Sequence, residues 1–169
     1  MIALRLALIL PCLLLVQCAG YHLGGQKPGH LAEVTKLAIP TVLNETQEPR
    51  LSSVTTNALI KQIQMDGSYE ITSEENADAV FKGRIERVNR SQFRSVRSNV
   101  LRTSQLQLQL YCTYTIEERS SGKVLHKGRA SGISYVILDS NVQNSEAQTL
   151  DDAAQRLATT IANEIAEGW

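Results

Sequence analysis

Aromatic side chains are scarce, 5% of the chain, and the one tryptophan, Trp169, is the last residue. That leaves no aromatic platform on which bases or sugar rings stack. Neither sign of charge is in excess, with 17 basic and 17 acidic side chains. A neutral chain lacks the electrostatic footprint of a non-specific nucleic-acid binder. Catalytic signatures are missing as well: there is no HExxH, no G-x-S-x-G, no Gly-rich phosphate loop and no Cys/His metal spacing. His22, His30 and His126 are scattered, and Gly24-Gly25 precedes no strand-to-helix turn. Asp151 and Asp152 are helix neighbours pointing about 100° apart, so they are not a working carboxylate pair. These absences argue against an enzyme and against a cofactor.

Long apolar runs are also few, and the one that exists is at the front. Ile2 to Val16 is apolar except for Arg5, and the run ends at Gln17-Cys18. Arg5 supplies a positive n-region and Leu6 to Leu15 an apolar h-region, the pattern of an export signal. A membrane-spanning helix needs about 20 apolar residues, more than this run holds. Leu15-Val16-Gln17-Cys18 looks like the lipobox of bacterial lipoproteins, although Gln17 stands where Gly, Ala or Ser is usual. On that reading residues 1–17 are a signal peptide and Cys18 is the acylated N-terminus of a lipidated tether, residues 18–34. The alternatives are an uncleaved anchor or a cut elsewhere. Cys12 leaves with the signal and Cys18 carries lipid, so Cys112 has no partner. It reads as a small buried apolar side chain, with no disulfide.

Residues 35–169 read as a single domain. Leu37 to Val42 is a short apolar strand in which Pro40 cannot donate to a ladder. It is an edge strand, or it ends near Pro40. Leu51, Val54, Ala58, Leu59 and Ile63 form a helical stripe, stopped by Asp66-Gly67. Tyr69 to Thr72 is a brief strand. Phe81 and Ile85 alternate with Lys82, Arg84 and Glu86 in the next one. From Gln105 to Glu117 the alternation is sustained, with leucines, Cys112, Tyr114 and Ile116 on one side and mainly Gln and Thr on the other. Ser120-Ser121-Gly122 is a hairpin loop. The return strand to Tyr135 is broken at Gly128, Ala130 and Gly132, which means a bulge or a close backbone approach. Ser145-x-x-Gln148 has capping-box form. The last helix turns Ala147, Leu150, Ala154, Leu157, Ile161 and Ile165 inward, with Asp151 and Asp152 in its first turns. The fold class is α+β: a two-layer sandwich, its mostly antiparallel sheet of four or five strands carrying two helices on one face. The Gln/Thr face stays free to meet water or a partner.

One charge cluster stands out: Arg84, Arg87, Arg90, Arg94, Arg97 and Arg102, most of it on a strand end and the loop that follows. Guanidinium forks suit phosphate and carboxylate. The cluster reads as a site for an anionic glycolipid or a phosphate-bearing partner, with Arg97, Arg94 and Arg90 at its centre. It reads equally as a solvated loop, or one that pairs with acidic groups of a partner protein.

The Cys18 signal followed by Gly20-Tyr21-His22-Leu23 resembles the Cys-Gly-(Tyr/Trp)-His-Leu opening of the LptE family of lipopolysaccharide-assembly lipoproteins. Here Ala19 is an extra residue between Cys and Gly. Leu37-x-Ile39-Pro40, Glu48-Pro49-x-Leu51, Phe81-x-Gly83-x-Ile85, the Leu/Gln strand and the final helix are similar too. The resemblance covers nearly the whole mature chain in order of elements. It implies a lipid-anchored protein of the outer membrane facing the periplasm. It also implies a place inside the LptD β-barrel, and help in assembling that barrel and delivering lipopolysaccharide to the outer leaflet. Arg97 matches a basic family position credited with lipopolysaccharide binding. The second such position has no match, since no Lys or Arg occurs from Ala130 to Gln155. The alternative readings are a stand-alone carrier of anionic lipid and an accessory lipoprotein of another envelope machine. Mass analysis of the exported protein is expected to find it starting at an acylated Cys18; an unmodified thiol there would refute the lipoprotein reading.

Overall fold

The long alternating strand sets the architecture. Its apolar side must be covered, and the two amphipathic helices are what the chain has to cover it with. The computed structural model describes residues 27–96, 99–137 and 142–167, with the backbone alone for 94–96, 99–104 and 142–144. The signal, Cys18 and the Gly20–Leu23 motif lie outside these residues. In chain order the elements are β1 (Lys36–Ala38), β2 (Leu43–Asn44), α1 (Leu51–Asp66), β3 (Glu70–Ile71), β4 (Ala79–Val96), β5 (Asn99–Glu118), β6 (Val124–Ile137) and α2 (Val142–Glu167). The sheet runs β3-β1-β4-β5-β6, with β2 also paired to β4.

The sheet therefore has six strands, not four or five, and it is mixed. β4, β5 and β6 are antiparallel, whereas β1 runs parallel to both β3 and β4, and β2 parallel to β4. The cause is α1. A parallel pair needs a crossover, and α1 supplies it between β1 and β3. β1 is consequently internal and not an edge strand. It does end before Pro40, and pairing with β4 resumes at Leu43. The Arg-rich stretch after Val88 is strand as far as Val96 where the sequence suggests loop. Arg and Ser are compatible with a strand that has a wet face, so their polarity gives no signal there.

Tyr114, Phe81, Leu108, Leu110 and Ile116 on the sheet, and Leu59, Ile63 and Leu157 on the helices, are fully buried in one core. Cys112 is buried among them, and burial pushes its thiol up to about 11. It stays protonated at neutral pH and packs as a small apolar group. The interruption in β6 is a close approach, because pairing from Gln105↔Ile137 to Ile116↔His126 runs without a shift. A Cβ on Gly132 would overlap the Ala153 carbonyl oxygen and lie 2.6 Å from the Leu157 nitrogen. A Cβ on Gly128 would overlap the Tyr114 ring. Ala130 on β6 and Ala153, Ala154 and Ala158 on α2 are buried as well, so small side chains let α2 lie close against the sheet.

Two details of α2 depart from the sequence pattern. The helix starts at Val142, so Ser145 lies within it and is no cap; its carbonyl accepts a bond from the Thr149 hydroxyl at 2.6 Å. Asp151 and Asp152 then sit beyond the first two turns. Asp152 accepts from the buried Ser134 hydroxyl at 2.6 Å and from Arg156 at 2.9 Å, and these bonds hold its carboxyl below the usual range.

The core begins before residue 35, since Leu31 and Val34 are buried in it. His30 Nε2 lies 2.9 Å from His126 Nδ1, with ring planes 12° apart and centroids 5.0 Å apart. Nearly coplanar rings at that separation share one in-plane hydrogen bond and do not overlap face to face. Glu164 and the Tyr114 hydroxyl lie 3.7 and 3.4 Å from the other ring nitrogen of His126. Burial, then the neighbouring His30, hold His126 below the ordinary 6.5, against the pull of Glu164.

Two outcomes follow for stability. Gly132→Ala is expected to destabilise the fold by about 1–3 kcal/mol in urea unfolding, because backbone on α2 must move. Gly29→Ala, with nothing within 4 Å of its would-be Cβ, serves as the neutral control. The depressed value of His126 means that the unfolded chain takes up the proton first. Its contribution is present above about pH 6.5 and is lost as pH falls through the folded value. Melting curves between about pH 7.5 and about pH 5 should show a smaller loss in His126→Gln than in the wild type; equal slopes would refute the assignment.

Candidate functional site

A bulge in β4 decides where the arginines go. Ile85 pairs with Cys112 but Arg87 pairs with Tyr111, so Glu86 is an extra residue. Before it, Lys82 and Arg84 lie opposite Thr115 and Thr113, on the side away from the helices. After it the phase is reversed. Arg87 and Asn89 take the outer side, opposite Tyr111 and Gln109, while Val88 and Arg90 share the helix side with the buried Leu110 and Leu108.

Arg90 is thereby brought to the two helices. Its Nη2 donates to Glu48 at 2.7 Å and its Nε to Glu146 at 2.6 Å. The Glu146 bond outweighs the partial burial of the side chain and raises the guanidinium above its ordinary range. Nearby, Arg50 reaches Asp151 at 3.2 Å. These five side chains rim a cleft of about 450 Å³ whose floor includes Leu51 and Leu150. The second expected residue, Arg94, pairs through its backbone with Gln105. The third, Arg97, lies outside the described residues. Of the three, only Arg90 has a described side chain, and its partners are carboxylates of this chain.

The outer side of β4–β6 is a different surface. Lys82 donates to Glu117 at 2.6 Å, which holds that carboxyl below the usual range, and Arg84 donates to Glu45 at 2.9 Å. Arg87 lies over the Tyr111 ring at 4.0 Å, and the Thr113 hydroxyl donates to Glu86 at 3.1 Å. Gln109 reaches Ser131 at 3.3 Å. Lys127 and Arg129 on β6 are exposed. Neither helix covers this side, so hydrogen-bonding groups line it across three strands. Toward its far end Phe93 and Tyr135 are in ring contact at 4.6 Å, both about half exposed.

The sequence pattern finds the polar face but not the Arg90 cleft. Glu48 enters the sequence reading only through the Glu48-Pro49-x-Leu51 resemblance and Glu146 carries no motif, and the two meet Arg90 only because a bulge changes its side. Among the described residues no group of three or more His, Cys, Asp or Glu is placed to hold a metal, and no helix is long and apolar enough to cross a membrane.

The family model described as LptE, lipopolysaccharide-assembly, matches residues 34–166. None of the curated proteins matches the chain. Similar solved structures include the PelC dodecamer from Paraburkholderia phytofirmans, 14% identical with a TM-score of 0.54, covering 84% of this chain and 94% of that one. A minor lipoprotein from Acinetobacter baumannii is 14% identical with a TM-score of 0.52, covering 78% of this chain and 91% of its own. At such identities the likeness is one of fold alone. The family match is to the sequence itself: it begins just before β1, takes in every strand and α1, and stops one residue short of the end of α2. On that match the chain belongs to the LptE lipopolysaccharide-assembly family.

Proposed function

We propose that this protein is a non-catalytic outer-membrane lipoprotein, acylated at Cys18 after loss of residues 1–17, that sits inside an LptD-type β-barrel. There it helps the barrel assemble and assists delivery of lipopolysaccharide to the outer leaflet. The observation that carries the reading is the uncovered outer side of β4–β6. The interior of an outer-membrane barrel is polar. A protein seated in it needs a surface that hydrogen-bonds at many points, and Gln109, Tyr111, Thr113 and Ser131 offer one beside Arg87 and Arg129. The family membership supports the same role.

The chain that follows Cys18 joins the domain where Leu31 and Val34 enter the core. An anchor held there keeps the domain at the membrane, and stable anchoring takes more than one acyl chain. Arg94, at the end of the sheet farthest from that entry, and Arg97, three positions on in sequence, are the residues proposed to meet the lipopolysaccharide phosphates.

Purification of the tagged lipoprotein in mild detergent is expected to bring a large β-barrel with it. The double substitution Arg87→Glu/Arg129→Glu, on exposed side chains, should lower barrel recovery several-fold while leaving the circular dichroism unchanged. Recovery of the wild type only as a free monomer, or full recovery by the double variant, would count against a role for this face.

A further inference from the structure

We infer that the cleft between α1 and α2 is an anion-binding site for an amphiphile, an organic phosphate carrying a short apolar stem, and that the chain's own Glu48 and Glu146 occupy it in the absence of ligand. The inference rests on the lipid-handling half of the proposed function and deepens it. Barrel recovery and phosphate binding are separate measurements, so either can fail alone.

Three observations meet in this cleft. The first is its size and lining: about 450 Å³, with an apolar floor of Leu51, Leu150, Pro49 and Ala147 and a charged rim. That space accommodates a phosphate and several methylene groups. The second is the state of Arg90. Its Nε and Nη2 are engaged by two carboxylates, at 2.6 and 2.7 Å, and these are donors of the fork that suits phosphate oxygens. Even so its side chain keeps 40% of its surface exposed, so an incoming anion can reach it. The third is Arg50, 66% exposed, on the same rim and paired with Asp151 at 3.2 Å. Exposed pairs of this kind are weak and exchange readily. The rim sets the carboxylates of Glu48, Glu146 and Asp151 against the two guanidinium groups, so an entering anion displaces Glu146 and Glu48 from Arg90 and Asp151 from Arg50, turns all three out to water, and lays its stem on Leu51 and Leu150.

Internal competition gives the proposal its signature. A purely structural ion-pair staple is weakened by neutralising any of its members. In a site blocked by its own carboxylates, neutralising a carboxylate tightens ligand binding, and neutralising the arginine abolishes it.

The test is titration calorimetry of the full chain in nonionic detergent, using hexyl phosphate, inorganic phosphate and hexanol as separate probes. Hexyl phosphate should bind, and inorganic phosphate at least about tenfold more weakly, the equivalent of about two buried methylenes. Hexanol should give no heat above the detergent blank. Glu146→Gln and Glu48→Gln should each bind hexyl phosphate about two- to fivefold more tightly, the factor that one exposed ion pair represents. Arg90→Gln should lose binding, with Arg50→Gln as the second arm should Arg90→Gln fail to fold. Glutamine variants that bind no tighter than the wild type would overturn the proposal. So would inorganic phosphate binding as well as hexyl phosphate, or no binding by the wild type and Glu146→Gln alike.

Discussion

The contact between α2 and β6 is the constraint from which the rest of the molecule follows. Gly132 lies so near the α2 backbone that a single added carbon would collide with the Ala153 carbonyl. Around it Ala130, Ala153, Ala154 and Ala158 keep the two surfaces close, and the larger Leu157, Ile161 and Ile165 extend the contact into the core. Buried dispersion and hydrophobic terms both depend on that closeness. With α2 seated there and α1 beside it, one side of the sheet is closed and the other is left to solvent or to a partner.

Length then matters. A strand of 20 residues such as β5 extends roughly 66 Å at about 3.3 Å each, whereas the 26 residues of α2 reach roughly 39 Å at about 1.5 Å each. One helix cannot cover the whole strand. The remainder is the end of the sheet where Arg94 pairs with Gln105, beyond the buried Leu108. The result is a dry core on one side of the sheet and long strands whose other side is wet.

The Glu86 bulge divides the cationic groups between the two sides. Without it Arg87 would point at the core and Arg90 outward. With it Arg87 stacks on Tyr111 in the outer surface, and Arg90 turns to Glu48 and Glu146 on the helix side. One extra residue thus sets Arg87 on the outer side of the sheet and Arg90 in the cleft on the helix side, and it does so with no change in composition. The pairing of Arg90 is also why a cluster that looks like free positive charge in the sequence is partly neutralised in the fold.

Periodicity was enough to determine the long β5 alternation, the stripes of both helices, the hairpin at Gly122 and the two-layer α+β class. These depend on local repeat and on which residues avoid water, and both are written along the chain. The inward set of α2 is legible for the same reason, and so are the uncovered Gln/Thr side and the buried Cys112. Tertiary structure alone decided the parallel pairing of β1, the continuation of β4 to Val96, the true start of α2 and the side taken by Arg90. Parallel pairing depends on how α1 crosses over. A bulge depends on a distant partner strand, on which Ile85 and Arg87 take the consecutive residues Cys112 and Tyr111. No local pattern encodes such distant geometry, because its energy resides in contacts that exist only once the sheet has formed.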